Sequence, residues 1–137
     1  MSHVSQIRVK VKSLSALKQA VHKLGMQFQE NKKTYRAYLN GQGSCDHAIS
    51  AINIPHADEI GVVKINDSYE LRVDSYGGRS YALEQIAGAG CSKLIQTYTQ
   101  IVAVEEATKL AEAEGYNVNV EEDPQTGETV ITLRSYD

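Results

Sequence analysis

At 137 residues, 42% of them hydrophobic and 23% charged, the chain has the size and balance of one folded domain, which excludes a disordered or fibrous polymer. No apolar run approaches the roughly 18 residues that span a bilayer, and Met1-Ser2-His3-Val4-Ser5 lacks the charged-then-apolar layout of a signal peptide, so a cytoplasmic protein is expected. A net charge of -3 weighs against a uniformly basic nucleic-acid binder.

Ile7, Val9 and Val11 alternate with Arg8, Lys10 and Lys12, a period of two that predicts a strand with one apolar and one basic face. Ser13 is placed to cap a helix over 14–24, where Leu14, Leu17, Val21 and Leu24 recur every three or four residues and Gly25 supplies the stop. Residues 26–30 and 35–39 read as short strands, followed by a turn at Asn40-Gly41-Gln42-Gly43. An extended run from His47 to Ile54 ends at Pro55, which cannot donate to a sheet ladder.

The clearest hairpin spans 59–74 around Asn66-Asp67. Its register pairs Val62 with Leu71 and Ile60 with Val73, and makes Ile60, Val62, Tyr69, Leu71 and Val73 core. The glycine-rich stretch that follows, through Gly90, holds at most a short helix around 81–86 and is the expected mobile segment. Ser92 can start a long helix to about 114, with Leu94, Ile95, Tyr98, Ile101, Val102, Leu110 and Ala111 as an apolar stripe covering the sheet. A closing hairpin, 116–122 and 129–134, turns through Asp123-Pro124-Gln125-Thr126-Gly127, with Val118 and Val120 inward and Asn117, Asn119 and Glu121 outward. The fold class is therefore α+β: a single domain over 1–137, with a mostly antiparallel sheet and two main helices packed on one face.

The charge is polar along the chain. Through Arg36 there are eight basic residues against Glu30 alone, a balance of +7. Beyond it six basic residues face sixteen acidic ones, a balance of -10. Either the basic part offers a surface to a partner, or the two parts neutralise each other. Arg8, Lys10, Lys12, Lys32, Lys33 and Arg36, with Tyr35 interleaved, form the candidate binding surface. Lysines and aromatics together can neutralise phosphates and stack bases, so RNA or single-stranded DNA is the alternative to a protein partner.

Three blocks in order carry a family resemblance. They are Met1-Ser2-His3 with Ser13-Leu14 and Ala16-Leu17-Lys18, then Ile60-Gly61-Val62-Val63 with Ser68-Tyr69-Glu70-Leu71, then Val104-Glu105-Glu106-Ala107 leading to Gly115-Tyr116. The chain resembles the hypothetical chloroplast reading frame thirty-five family of plastids, cyanobacteria and other bacteria, domains of unknown function. Some bacterial members are encoded beside ATPases of the AAA class. The resemblance implies an adaptor or substrate of such a machine and supplies no catalytic residues. The chain departs from the family in having no tryptophan, with Asp74-Ser75-Tyr76-Gly77 where tryptophans after an aspartate are expected.

Other chemistry is weaker. Asp74, Tyr76 and Arg79, with Lys64 and Tyr69, could line a pocket beside the central hairpin, with Asp74 as acid or base and Arg79 as an anion anchor. No activated nucleophile or paired carboxylate accompanies them, so a small enzyme is the third reading. Ala87-Gly88-Ala89-Gly90-Cys91-Ser92-Lys93 precedes a helix but lacks the glycine before lysine of a phosphate-binding loop. Cys45, Asp46, His47, His56 and Asp58 are metal-ligand types, yet an extended run would part His47 and His56 by about 25 to 30 Å. No metal or cofactor is expected, and Cys45 and Cys91, which lack a C-x-x-C spacing, are expected as free thiols.

Overall fold

The Oγ of Ser13 accepts a hydrogen bond from the Ala16 N–H at 3.1 Å, and this cap divides the first strand, β1 (Val4–Val11), from the first helix, α1 (Leu14–Lys23). The computed structural model describes residues 4–37, 42–52, 54, 57–74 and 79–135. Gly25, at φ +73°, takes the left-handed conformation that ends α1 and turns the chain into β2 (Met26–Gln29). There follow β3 (Thr34–Arg36), β4 (Gln42–Ser44), β5 (His47–Ala51), β6 (Ile60–Ile65) and β7 (Ser68–Asp74).

Five of these strands form one antiparallel sheet in the order β1-β7-β6-β5-β2. The outermost strands β1 and β2 are consecutive in the chain and run parallel, so α1 must cross a face of the sheet to join them. It does so on Ala16, Leu17, Ala20 and Val21, whereas the predicted Leu14 and Leu24 are only half-buried. The two alanines bring the helix backbone close to the strands, and the contact face turns toward them.

The central hairpin has the expected register. Val62 pairs with Leu71, Val63 with Glu70, and Asn66 adopts φ +57° in the turn. Ile49, Ile60, Val62 and Leu71 are fully buried, while Tyr69 is half-buried. The strict alternation predicted for β1 is interrupted. Ile7 pairs with Leu71 and Val11 with Tyr69, so four steps along β1 match two along β7 through a bulge.

The other face of the sheet is covered by the small β3–β4 ladder. Tyr35, Ala37, Cys45 and Ala48 form a buried cluster there, with Val63 packed against it. Gly43, predicted as part of a turn, instead lies in β4 directly opposite Tyr35. A side chain at Gly43 or Gly61 would collide with the Tyr35 ring, so both strand glycines make room for that aromatic. The remainder of the predicted turn, residues 40–41, lies outside the described residues.

The chain continues through α2 (Arg79–Ala87), a 3₁₀ turn (Ala89–Cys91), α3 (Ser92–Ala113), β8 (Tyr116–Glu122) and β9 (Thr129–Ser135). The chain divides into two compact units, Met1–Thr99 and Gln100–Asp137, with the boundary inside α3. In the first unit α3 buries Leu94 and Tyr98, and the Tyr98 hydroxyl accepts hydrogen bonds from the Lys12 and Ser13 N–H groups at 3.0 and 3.2 Å. The predicted apolar stripe goes no further as core. In the second unit Ile101 and Val102 are half-buried and Leu110 is 69% exposed.

The second unit consists of the rest of α3 and the β8–β9 hairpin. Its turn is closed locally: Asp123 Oδ1 accepts from the Gln125 N–H at 2.8 Å, and Gly127 sits at φ +73°. Among the described residues no helix is long and apolar enough to cross a membrane.

Candidate binding surfaces

The predicted basic surface loses three members to the protein's own interior. Tyr35 is 3% exposed and wedged between glycines, so its ring cannot stack on a base. Lys32 reaches Glu59, its Nζ donating to both carboxylate oxygens at 2.8 and 2.9 Å. Arg36 gives its backbone N–H to Glu59 Oε1 at 2.8 Å and its guanidinium to the Ala57 carbonyl at 3.0 Å. Lys10, Lys12 and Lys33 remain exposed. Arg8 falls on β1, Asp74 at the end of β7 and Arg79 at the start of α2, but their side chains, and the whole of Tyr76, lie outside the described residues.

Glu59 was not singled out in the sequence, and the structure makes it a hub. It is buried just before β6 and also accepts from Gln29 Nε2 at 2.9 Å, tying the end of β2, the segment at Lys32 and β3 to one carboxylate. Burial alone would raise its pKa. The hydrogen bonds from Lys32 and Arg36, with their positive charges, outweigh burial and hold it below the usual carboxylate range. A buried, ionised carboxylate whose oxygens are already engaged is a structural tie, poorly suited to abstracting a proton from a substrate.

The early positive charges are thus partly neutralised by carboxylates of the same unit. Lys18 pairs with Glu30 at 2.9 Å, as Lys32 does with Glu59. Lys18 also lies 5.5 Å from the centre of the Phe28 ring.

Three of the residues weighed as metal ligands have partners in the fold, and His56 lies outside the described residues. Asp46 Oδ2 accepts from the Lys64 N–H at 2.7 Å, Cys45 Sγ lies 3.1 Å from the Lys32 carbonyl, and His47 Nδ1 accepts from the Asn31 N–H at 2.9 Å. The His47 ring is buried between Phe28 and Tyr69, with centroids 5.3 and 5.9 Å away. Burial lowers its pKa, so the ring is neutral at pH 7 with its proton on Nε2. Among the described residues no three His, Cys, Asp or Glu side chains converge as metal ligands.

The helix start at 87–93 is governed by packing. Gly88 has φ +83°, and a Cβ there would stand 2.7 Å from the Lys93 nitrogen. Cys91 is buried at the turn, and burial pushes its thiol pKa up to about 12.

The surface that sequence reasoning missed is the C-terminal hairpin. Cross-strand pairs Tyr116–Ser135, Val118–Leu133, Val120–Ile131 and Glu122–Thr129 place one apolar row on one face. The prediction that Val118 and Val120 point inward is corrected. Val118 is half-buried, Val120 is 43% exposed, and Leu133 across from Val118 is 48% exposed. The alternation shows which residues share a face; it carries no signal of whether that face is covered. No described residue from Thr99 to Ser135 is buried. The opposite face is polar apart from Val130, and Asn117, Asn119, Glu121, Thr132 and Arg134 line a cleft of about 450 Å³ that also reaches Val118.

No protein-family model, curated protein or solved structure matches the chain.

Proposed function

We propose that the chain is a protein-binding or adaptor module whose contact element is the unit Gln100–Asp137. One observation carries the reading: this unit has regular secondary structure and an apolar sheet face, yet no described residue in it is buried. A two-stranded hairpin is marginal in water, because two strands cannot bury enough apolar area to offset the loss of chain entropy, and the helix beside it, joined through Gln100 Nε2 donating to Thr129 Oγ1 at 3.4 Å, leaves the unit without a buried residue. A row formed by Tyr116, Val118, Val120, Ile131 and Leu133 gains stability when another surface excludes water from it. The basic early residues serve the module less well, since Lys32, Tyr35 and Arg36 are committed to Glu59 and to the sheet.

The family resemblance read in the three sequence blocks suggests an ATPase of the AAA class as a partner to test first. Wild-type protein and the double variant Val120→Glu, Leu133→Glu would be immobilised and exposed to host lysate, and the captured proteins identified by mass spectrometry. The module reading expects a set of proteins retained by the wild type and lost by the variant, the ATPase among the first sought. Identical sets from both proteins would overturn the assignment to this face.

A further inference from the structure

We infer that β9 pairs edge to edge with β9 of a second copy of this chain, joining the two hairpins into one four-stranded antiparallel sheet about a two-fold axis at Ile131. The inference concerns the edge of the hairpin; it goes beyond the reading of the apolar face and does not depend on it.

The chain treats its sheet edges differently. β1, an outer strand of the main sheet, is bulged between Ile7 and Val11 and bears exposed Lys10, a bulge and a charge both being features that discourage a further strand. β8 runs into Glu121, Glu122 and Asp123 at its end. β9 has no such guard. Its segment Thr129-Val130-Ile131-Thr132-Leu133 is uncharged, lacks proline, opens with a β-branched run and pairs with β8 without a bulge. Among the described residues β9 is hydrogen-bonded to β8 alone, and Val130, Ile131, Thr132, Leu133 and Arg134 are exposed.

The hydrogen-bond phase fixes which groups face outward. The Asp123 N–H donates to the Glu128 carbonyl at 2.8 Å, so this pair is a hydrogen-bonded one. Bonded and non-bonded pairs alternate along an antiparallel ladder. Val130, Thr132 and Arg134 therefore turn their N–H and C=O groups toward β8, and Thr129, Ile131 and Leu133 turn theirs to the open edge.

Self-complementarity singles out the second copy. With the axis at Ile131, Ile131 meets Ile131 of the second copy and Thr129 meets its Leu133, each through outward backbone groups, while Val130 faces its Thr132 on the polar side. The same register sets Glu128 opposite Arg134 of the second copy, and by symmetry this contact occurs at both ends. Both side chains are exposed, and both pairs fall at non-bonded positions, where side chains approach most closely. Moving the axis by one residue to either side loses both ion pairs. The acidic excess of the unit does not forbid the pairing. The two β8 strands lie outermost, three strand spacings or about 14 Å apart, beyond the screening length of about 8 Å at physiological salt.

The test is sedimentation velocity on the full chain from about 5 to 500 µM, a range suited to an interface smaller than about 1,200 Å². The average mass should rise toward the dimer with concentration, and amide exchange at Ile131 and Leu133 should slow in step. Glu128→Arg and Arg134→Glu each oppose like charges at both ends and should weaken the dimer about tenfold or more. An equimolar mixture of the two variants restores opposite charges at both contacts, as does the double variant. Each should return to within about threefold of wild type. Recovery on mixing also excludes misfolding as the cause of the loss.

A monomer at every concentration would overturn the inference, as would a dimer that neither single variant weakens. Loss in the single variants without recovery in the mixture or the double variant would overturn the register. Slow exchange at Ile131 and Leu133 already in the monomer would put another part of the same chain on the edge, and would overturn the second copy as its occupant. The lysate capture above reads the apolar face through Val120 and Leu133, so either result can fail without the other.

Discussion

The ring of Tyr35 occupies the space above Gly61, so that a Cβ on that glycine would stand 2.7 Å from Tyr35 Cε1. A hairpin strand and a central strand of the main sheet are thereby fitted to each other at a single aromatic side chain. Replacing Gly61 with alanine should cost about 1–3 kcal/mol through overpacking. In a Tyr35→Ala background the same replacement should cost much less, because the obstructing ring is gone. Urea unfolding of the four proteins gives the coupling directly, and additive losses would contradict the wedge.

Glu59 is the second structural prediction. Replacing it with glutamine leaves the Lys32 ammonium without its carboxylate and should cost about 3 kcal/mol at neutral pH. The folded pKa of Glu59 lies below the ordinary value of 4.5. Its contribution is therefore complete above the unfolded pKa and is lost as pH falls through the folded value. The stability gap between wild type and Glu59→Gln, measured by urea unfolding, should narrow as pH is lowered below 4.5.

His47 acts in a higher pH range. Its folded pKa is below 6.5, first because burial disfavours the cation, with Lys18 and Lys33 acting in the same direction against Glu30 and Asp46. The unfolded chain thus binds the proton first as pH falls. Stability is complete above 6.5 and declines as pH drops through the folded pKa, where protonation also removes the acceptor used by the Asn31 N–H. His47→Gln, which cannot titrate, should lose this part of the slope. An imidazole NMR titration that gave a pKa above 6.5 would refute the burial argument.

Both cysteines should be silent toward thiol reagents in the folded protein. Cys45 and Cys91 are buried, and burial raises both thiol pKa values, that of Cys91 to about 12. Absorbance titration with a disulfide reagent near pH 8 should register them only after denaturant is added.

Local rules made much of the fold legible before any coordinates. The Ser13 cap, the Gly25 stop, the Asn66 turn and the Asp123 to Gly127 turn each depend on residues within a few positions, and the Val62–Leu71 register follows from a period of two. The candidate site was much less legible. Glu59 draws Gln29, Lys32 and Arg36 from 30, 27 and 23 residues away. Charge counting saw those basic residues as a surface because it cannot register a buried partner at that separation.

The sequence alone determined which side chains alternate, where helices begin and end, and that β8 and β9 carry one apolar row. Only the tertiary structure decided that this row is left exposed while Tyr35 is enclosed. Periodicity sorts residues onto the faces of an element, but burial depends on what another element, distant in the chain, places against that face.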